Sequence, residues 1–298
     1  NSSYKFNLRD DKTFRGMRKF SLQKPRIRNY LHEWIFHELM SEGDLIKIKY
    51  DFIYFNLNGQ NMGLYVLEEG FGKELLERNK RRNGPIFSLN EAFEWEDIYK
   101  AKFEVYDKKN WLKKANINVP KKAIENFKNF LNDKIKLEEI FDIKKWAWYF
   151  AVADLTYTHH GVLPKSVRFY YNPINGKFEP IPYDGHRMHP NYSKYLHDFD
   201  HKTIFDRAKI DINKPDKFLL DKFLNKFFFL NSNNKKLNEL FYFEYIKAIK
   251  KISSKKFLDD FFELRENEIN KITSAIYSDS FKYAYDWRRK SGIGLYYY

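Results

Sequence analysis

The sequence predicts an α+β fold in which a small sheet-rich segment precedes a larger, mostly helical one. Three observations predict it. Phe14–Gln23 alternates in period two, with Phe14, Gly16, Arg18, Phe20 and Leu22 on one face. Asn58-Gly59 lies between the strand-like runs Ile46–Leu57 and Met62–Glu68, a strong tight-hairpin signal. From Lys121 onward apolar residues recur mainly at three- and four-residue spacing, as on helix faces.

Taken in order, Tyr4–Leu8 reads as an edge strand and Arg9–Thr13 as a turn. The strand Phe14–Gln23 follows and ends at Pro25, which has no N–H to give a ladder. Ile27–Glu42 is predicted to be helical from Ile27, Tyr30, Leu31, Trp34, Ile35 and Leu39, with Gly43 as its stop. The hairpin around Asn58-Gly59 completes a small sheet. Phe71–Asn79 reads as a short helix and Pro85–Leu89 as a short strand. Residues 90–120 read as a charged, irregular insertion.

Helices are then expected over Lys121–Asn132 and Leu137–Asp154. After the loop Leu155–Pro164, a second hairpin, Val167–Asn172 with Lys177–Tyr183, turns at Pro173-Ile174-Asn175-Gly176. Three more helices are expected near Asp216–Leu230, Lys236–Ile252 and Lys255–Tyr277. The change from sheet to helix near Glu69–Gly72 divides the chain into residues 1–70 and 71–298.

Composition narrows the partners. Hydrophobic residues at 43% and aromatic residues at 19% are those of a globular chain with a real core. No apolar run approaches the roughly 20 residues of a membrane span. Cysteine is absent, which excludes disulfides and thiolate metal sites. The chain begins with Asn1 and reads as a fragment or processed product. A net charge of +14 favours polyanions: nucleotides, nucleic acid, phosphorylated surfaces or anionic lipid. The basic residues are dispersed among acids, without the stripe that would point to nucleic acid, which is therefore not expected as a partner.

The most informative stretch is Trp146–Arg187. A buried helix ends at Asp154, a polar loop carries Thr156, His159 and His160, and a hairpin runs into Tyr183-Asp184-Gly185-His186. Both acids sit where apolar structure stops. Brought together, one would orient or deprotonate a hydroxyl and the other would hold a metal ion against phosphate oxygens. The plainer alternative makes Asp154 a helix-end residue and Asp184 a turn former. Helix, acidic loop, short hairpin and Asp-Gly is the layout of a kinase catalytic loop followed by its metal-binding loop.

The first third supplies a basic partner. Lys19 lies on a strand followed directly by a helix carrying Glu33 and Glu38, and a strand Lys paired to a helix Glu is how kinases hold phosphates. Glu38 falls within the apolar stripe and Glu33 off it; the pattern leaves both open, as it does Lys19 and Arg18. A solvated surface Lys is the alternative.

Phe14-Arg15-Gly16-Met17-Arg18-Lys19-Phe20-Ser21-Leu22, then Asn58-Gly59 with Gly63-Leu64-Tyr65-Val66-Leu67-Glu68-Glu69, resembles the amino-terminal lobe of the CotH kinase family, the spore-coat protein H-like atypical kinases. Arg168-Phe169-Tyr170-Tyr171-Asn172-Pro173 and Phe178-Glu179-Pro180-Ile181-Pro182-Tyr183-Asp184 are similar to that family's hairpin and metal-aspartate segment. The resemblance covers roughly residues 14–184. It implies a divergent protein-kinase-like two-lobe fold and ATP-dependent phosphate transfer to protein hydroxyls, with Mg2+, or alternatively Mn2+. By position it implies Asp154 as the acid of the catalytic segment, Asp184 as the metal acid and Lys19 as the phosphate-contacting lysine. Glu68 and Glu69 fall where the chain crosses between lobes, beside the expected adenine site.

Leu163-Pro164-Lys165-Ser166 lacks the Asn that many relatives carry between the two acids, which leaves Ser166 as the poorer metal ligand in that run. Gly185-His186-Arg187 follows Asp184 without a further acid. A catalytically inactive coat or surface scaffold on the same fold therefore stands as one alternative. Six of eight histidines, His159, His160, His186, His189, His197 and His201, are interleaved with Asp184, Asp198 and Asp200. That density defines the other alternative, a metal-dependent phosphoesterase or nuclease.

Overall fold

Tyr4–Asn7 (β1), Lys19–Gln23 (β2), Tyr50–Leu57 (β3) and Gln60–Glu69 (β4) form an antiparallel sheet in the order β1-β2-β4-β3. The computed structural model describes residues 3–10, 12–89, 103–158, 160–163, 165–186, 203–209, 219–230 and 236–279. The β3–β4 turn is the predicted one: Asn58 and Gly59 both have positive φ, 51° and 83°, which tight hairpins require. Phe20, Leu22, Tyr65 and Leu67 share one face of this sheet. Val66 and Tyr50 lie on the other, against Leu31 and Trp34 of the helix Leu31–Ser41 (α1).

The single helix expected over Ile27–Glu42 is two elements. A 3-10 turn spans Pro25–Arg28, and α1 begins at Leu31. Between them Asn29 and Tyr30 take positive φ, 56° and 57°. Pro at the first position starts the turn, and Asn tolerates the left-handed conformation that ends it. The break re-aims Arg28 relative to α1, which matters at the site.

Lys73–Arg78 (α2) leads to Ile86–Leu89 (β5). The second hairpin, Arg168–Asn172 (β7) and Lys177–Ile181 (β8), is half of a larger sheet: Phe103–Val105 (β6) pairs with β5, and β5 pairs with β7, in the order β6-β5-β7-β8. The sequence pattern missed β6, a three-residue strand inside the charged segment, because it is too short to show alternation. Lys108–Trp111 (α3), Asn118–Leu131 (α4) and Leu137–Ile140 (α5) complete that segment.

Ile143–Leu155 (α6) is the central helix; Trp146 through Ala153 are all buried. Its apolar faces leave two indole N–H groups that must be satisfied. Trp146 Nε1 donates to the Phe178 carbonyl of β8 at 3.0 Å, and Trp148 Nε1 donates to the Leu39 carbonyl of α1 at 3.0 Å. The central helix is thereby pinned to the second sheet and to the helix beneath the first. Ile204–Ala208 (α7), Leu219–Phe228 (α8) and Glu239–Ile252 (α9) follow, with α9 packed along α6. Phe227 and Phe228 are buried in this core.

Lys255–Asp279 (α10) returns to the first sheet, placing Ile269 and Ile272 beside Val66 and Trp34. Its last residue, Asp279, accepts the Leu64 N–H at 2.7 Å. The architecture is α+β, as the sequence predicts. Among the described residues no helix is long and apolar enough to cross a membrane.

Candidate functional site

Glu68 and Val66 point from β4 to the same side of the sheet, toward α1, and Glu33 rises from α1 to meet them. Two carboxylates are therefore buried in one place, which is costly unless they are paired or neutralised. Arg28, delivered by the 3-10 turn, pairs with Glu33 at 3.5 Å and also contacts the Asp184 carboxylate. Glu33 accepts the backbone N–H of Gly185 at 2.9 Å, and the Tyr50 hydroxyl lies 3.5 Å from its other oxygen.

Burial works to raise the Glu33 pKa; the Arg28 guanidinium and then His37 outweigh it and hold the carboxyl at about 2. Glu68 goes the other way: burial first, then the Glu33 charge, push it up to about 7. One oxygen of Glu68 accepts from the Ser21 hydroxyl and the Gln23 amide, each at 3.1 Å. The cluster thus keeps one carboxylate charged beside Arg28 and favours the protonated form of the other.

Asp184 follows β8 with a positive φ of 58°, and Gly185 sits flat against Phe36 of α1. A β-carbon at Gly185 would meet the Phe36 ring at 2.1 Å, so only glycine lets the strand end pass there. Around Asp184 gather His186 Nδ1 at 3.1 Å, His160 Nδ1 at 3.2 Å and the Ser166 hydroxyl at 3.4 Å. Burial, joined by neighbouring positive charge, lowers His160 to about 2 and His186 to about 4, so both imidazoles are neutral near pH 7.

Asp154, at the end of α6, has a different set of partners. One oxygen accepts the Ile204 N–H at 2.9 Å at the start of α7, and the other accepts the Tyr245 hydroxyl of α9. Glu38 joins α1 to Lys47 and, at 3.2 Å, to Arg265 of α10. Glu69 accepts the Lys49 N–H at 2.9 Å and pairs with Arg78. Of the two helix acids the sequence left open, Glu33 is the one beside Asp184, and its basic partner is Arg28 rather than a strand residue.

Arg18 and Lys19 lie elsewhere, on the wall of a cleft of about 520 Å³ between the first sheet and α2, β5 and α3. Lys73, Phe71, Tyr106 and Trp111 line it too. Phe71 packs on Tyr183 with ring centres 5.1 Å apart, and Tyr183 is the neighbour of Asp184. The Arg168 guanidinium lies 4.6 Å from the Tyr183 ring centre and 5.3 Å from that of Phe71. Phe71 thus belongs both to the cleft and to the stack that adjoins Asp184.

Neither Arg28 nor Arg168 stands out in the sequence as a site residue. The signal for Arg28 was a basic residue between Pro25 and Asn29, just ahead of a helix acid that needs a partner. Arg168 gave none beyond its place at the start of a strand. His159, His189, His197, His201, Asp198 and Asp200 lie outside the described residues.

The two antiparallel four-stranded sheets and the helices packed on them belong to the kinase-like class of α+β proteins. Within it, the family described as CotH kinase protein has a model that matches residues 1–290, and the chain belongs to the CotH kinase family. A search of curated proteins returns no match.

Proposed function

We propose that this chain is an ATP-dependent phosphotransferase that moves the γ-phosphate to a hydroxyl, on a protein acceptor. The observation that carries the reading is the cleft: three cations, Arg18, Lys19 and Lys73, outnumber two acids, Glu74 and Asp107, in a cavity of about 520 Å³ that they share with the aromatic rings of Phe71, Tyr106 and Trp111. A triphosphate needs the first set and a purine base the second. Phe71 of the cleft packs on Tyr183, the residue before Asp184.

In this reading the base stacks among the aromatic rings, and Lys19, Arg18 and Lys73 hold the phosphates. Glu68 and Glu69, both already engaged, fix the crossing strand beside the base. The acceptor hydroxyl attacks in line. A bond from its oxygen to the γ-phosphorus forms as the bond to the ADP oxygen breaks, and its proton passes to a carboxylate. In this reading Asp154, at the end of the buried helix α6, orients that hydroxyl.

Family resemblance implies magnesium at Asp184 and Ser166. The donor set does not suit it, because magnesium prefers oxygen ligands and water, whereas two imidazoles adjoin Asp184. No step above is therefore routed through magnesium.

The reading is tested with γ-labelled ATP, the chain and a generic acceptor protein. Label should appear on protein with wild type and fall at least tenfold with Lys19→Ala/Arg18→Ala or with Asp184→Asn. Equal incorporation by all three proteins overturns it. Release of free phosphate with none on protein supports instead the metal-dependent phosphoesterase, which the His160–Asp184–His186 cluster favours. Absence of both reactions, with no shift in melting temperature on adding ATP, supports the scaffold.

A further inference from the structure

Apolar periodicity buries one side of α4 and so sorts its charges onto the other. Ala123, Phe127, Phe130 and Leu131 sit in the main core, while Lys121, Lys122, Glu125 and Lys128 are exposed. The short helix α3 divides in the same way. Asn110 and Trp111 line the cleft, and Lys108 and Lys109 face solvent. The turn between the two helices adds exposed Lys113 and Lys114. That turn is held in place: Asn116 Nδ2 donates to the backbone carbonyl and to the side-chain oxygen of Asn110, each at 3.2 Å, and the Ile117 N–H donates to the Lys113 carbonyl at 3.0 Å.

Residues 108–128 therefore present seven exposed lysines against one acid, Glu125. Among the described residues, only Lys108 of the seven has an ion pair, with Glu104 at 3.7 Å. Like charges gathered on one face repel, and an anionic partner relieves that repulsion and is steered toward it. The chemistry of the face selects among anionic partners. It holds no arginine, and its two aromatic residues, Trp111 and Phe127, are buried, so it lacks both the guanidinium fork and the stacking platform that nucleic acid uses. Its apolar side is spent on the core and only Leu112, 51% exposed, remains outside, so it has no stripe to sink into a lipid surface. A carboxylate-bearing polypeptide remains.

We infer that the outer face of α3 and α4 docks an acidic segment of the acceptor protein. The surface stands on its own charge; its role as an acceptor dock rests on the phosphotransfer reading above. One short helix carries both the cleft wall and the start of the lysine face, so a polypeptide held on that face is delivered to the cleft mouth. Docking there raises the local concentration of the acceptor hydroxyl without adding a group to the chemistry.

Docking is measured without turnover, so its failure is separable from failure of phosphotransfer. Fluorescence anisotropy follows a fluorescein-labelled Glu-rich peptide with a single Ser as the full chain is added, beside the same peptide with Lys in place of Glu. The Glu peptide should bind at least about tenfold more tightly and weaken as salt is raised. Lys113→Glu/Lys114→Glu/Lys121→Glu/Lys122→Glu should weaken it at least about tenfold, and Lys→Gln at the same four positions by less, with melting temperatures near wild type. Lys247→Glu/Lys250→Glu, on the exposed side of α9, should leave binding nearly unchanged. No preference for the Glu peptide, or equal weakening by the α4 and α9 reversals, overturns the assignment. So does tighter binding of single-stranded DNA or of phosphatidylserine vesicles that the α3–α4 reversal abolishes. With γ-labelled ATP, label on a neutral acceptor but none on the bound Glu peptide overturns the docking role alone, whereas label on neither acceptor overturns phosphotransfer and leaves an acidic-peptide surface.

Discussion

Glu33 and Gly185, 152 residues apart, are joined by a 2.9 Å hydrogen bond from the Gly185 N–H to the Glu33 carboxylate. Through it the helix under the first sheet sets the position of the loop that carries Asp184. The same carboxylate is the charge partner of Arg28. Glu33→Gln removes a fully buried charge and leaves Arg28 with Asp184 alone. Breaking a buried pair from one side costs about 3 kcal/mol. Urea denaturation should show a loss of that size. Glu38→Gln, as a comparison, should instead loosen α10, read as faster amide exchange over residues 261–272.

Gly185 is fixed by shape. With a β-carbon 2.1 Å from the Phe36 ring, Gly185→Ala must shift either the ring or the strand end. Overpacking of this kind costs about 1–3 kcal/mol. Phe36→Leu in the same chain should recover part of that loss, although Phe36→Leu alone destabilises. Additive losses in the double-mutant cycle would show that the two residues do not share the strain.

Glu68 makes stability depend on pH. Its carboxyl titrates at about 7 in the folded chain, above the ordinary carboxylate value, because burial and the Glu33 charge disfavour ionisation. Between the two values the folded state holds more protons than the unfolded one. Its contribution is therefore fully present below about pH 4.5 and is lost as pH rises to about 7. Glu68→Gln should flatten the stability profile across that window and be relatively more stabilising at pH 8 than at pH 5. Glu33, held at about 2, has the opposite sign: it favours folding above the ordinary carboxylate range, and this is lost as pH falls toward 2. An unchanged profile in Glu68→Gln would remove Glu68 as the source.

Asp154 separates a structural role from a chemical one. Tyr245→Phe deletes the hydroxyl that donates to it from α9, a bond to a charged group worth about 1.5–3 kcal/mol. If Asp154 orients the acceptor, Asp154→Asn lowers phosphate incorporation by about 100-fold or more, and Tyr245→Phe by less than tenfold at a temperature where both are folded. Equal losses from the two variants would make Asp154 an anchor between α6, α7 and α9.

Local chemistry made much of this legible in the sequence. Asn58-Gly59 specifies its hairpin because few residues accept positive φ at both turn positions. The apolar run of α6 specifies a buried helix. Pro180 to Gly185 marks a strand end where an acid can leave the sheet. Family likeness in the same segments pointed to the kinase-like class, and nearly the whole chain matches that family. The β6 strand and the break at Asn29-Tyr30 were not legible, because three residues carry no periodicity and the helical stripe continues across the break.

By itself the sequence determined where most strands, helices and turns lie, since these depend on neighbours within a few residues; the expected strand Phe14–Gln23 is an exception, a tight turn at Arg15-Gly16 followed by β2 from Lys19. It also determined that acids, histidines and basic residues would fall at element ends. Only the tertiary structure decided which of them meet. Glu33 rather than Glu38 reaches Asp184, Arg28 rather than Lys19 neutralises it, and His160 and His186 face each other across it. Those choices depend on how the sheet, α1 and the β8 loop pack, and on burial, which sets the cost of every unpaired charge at distances that no local pattern encodes.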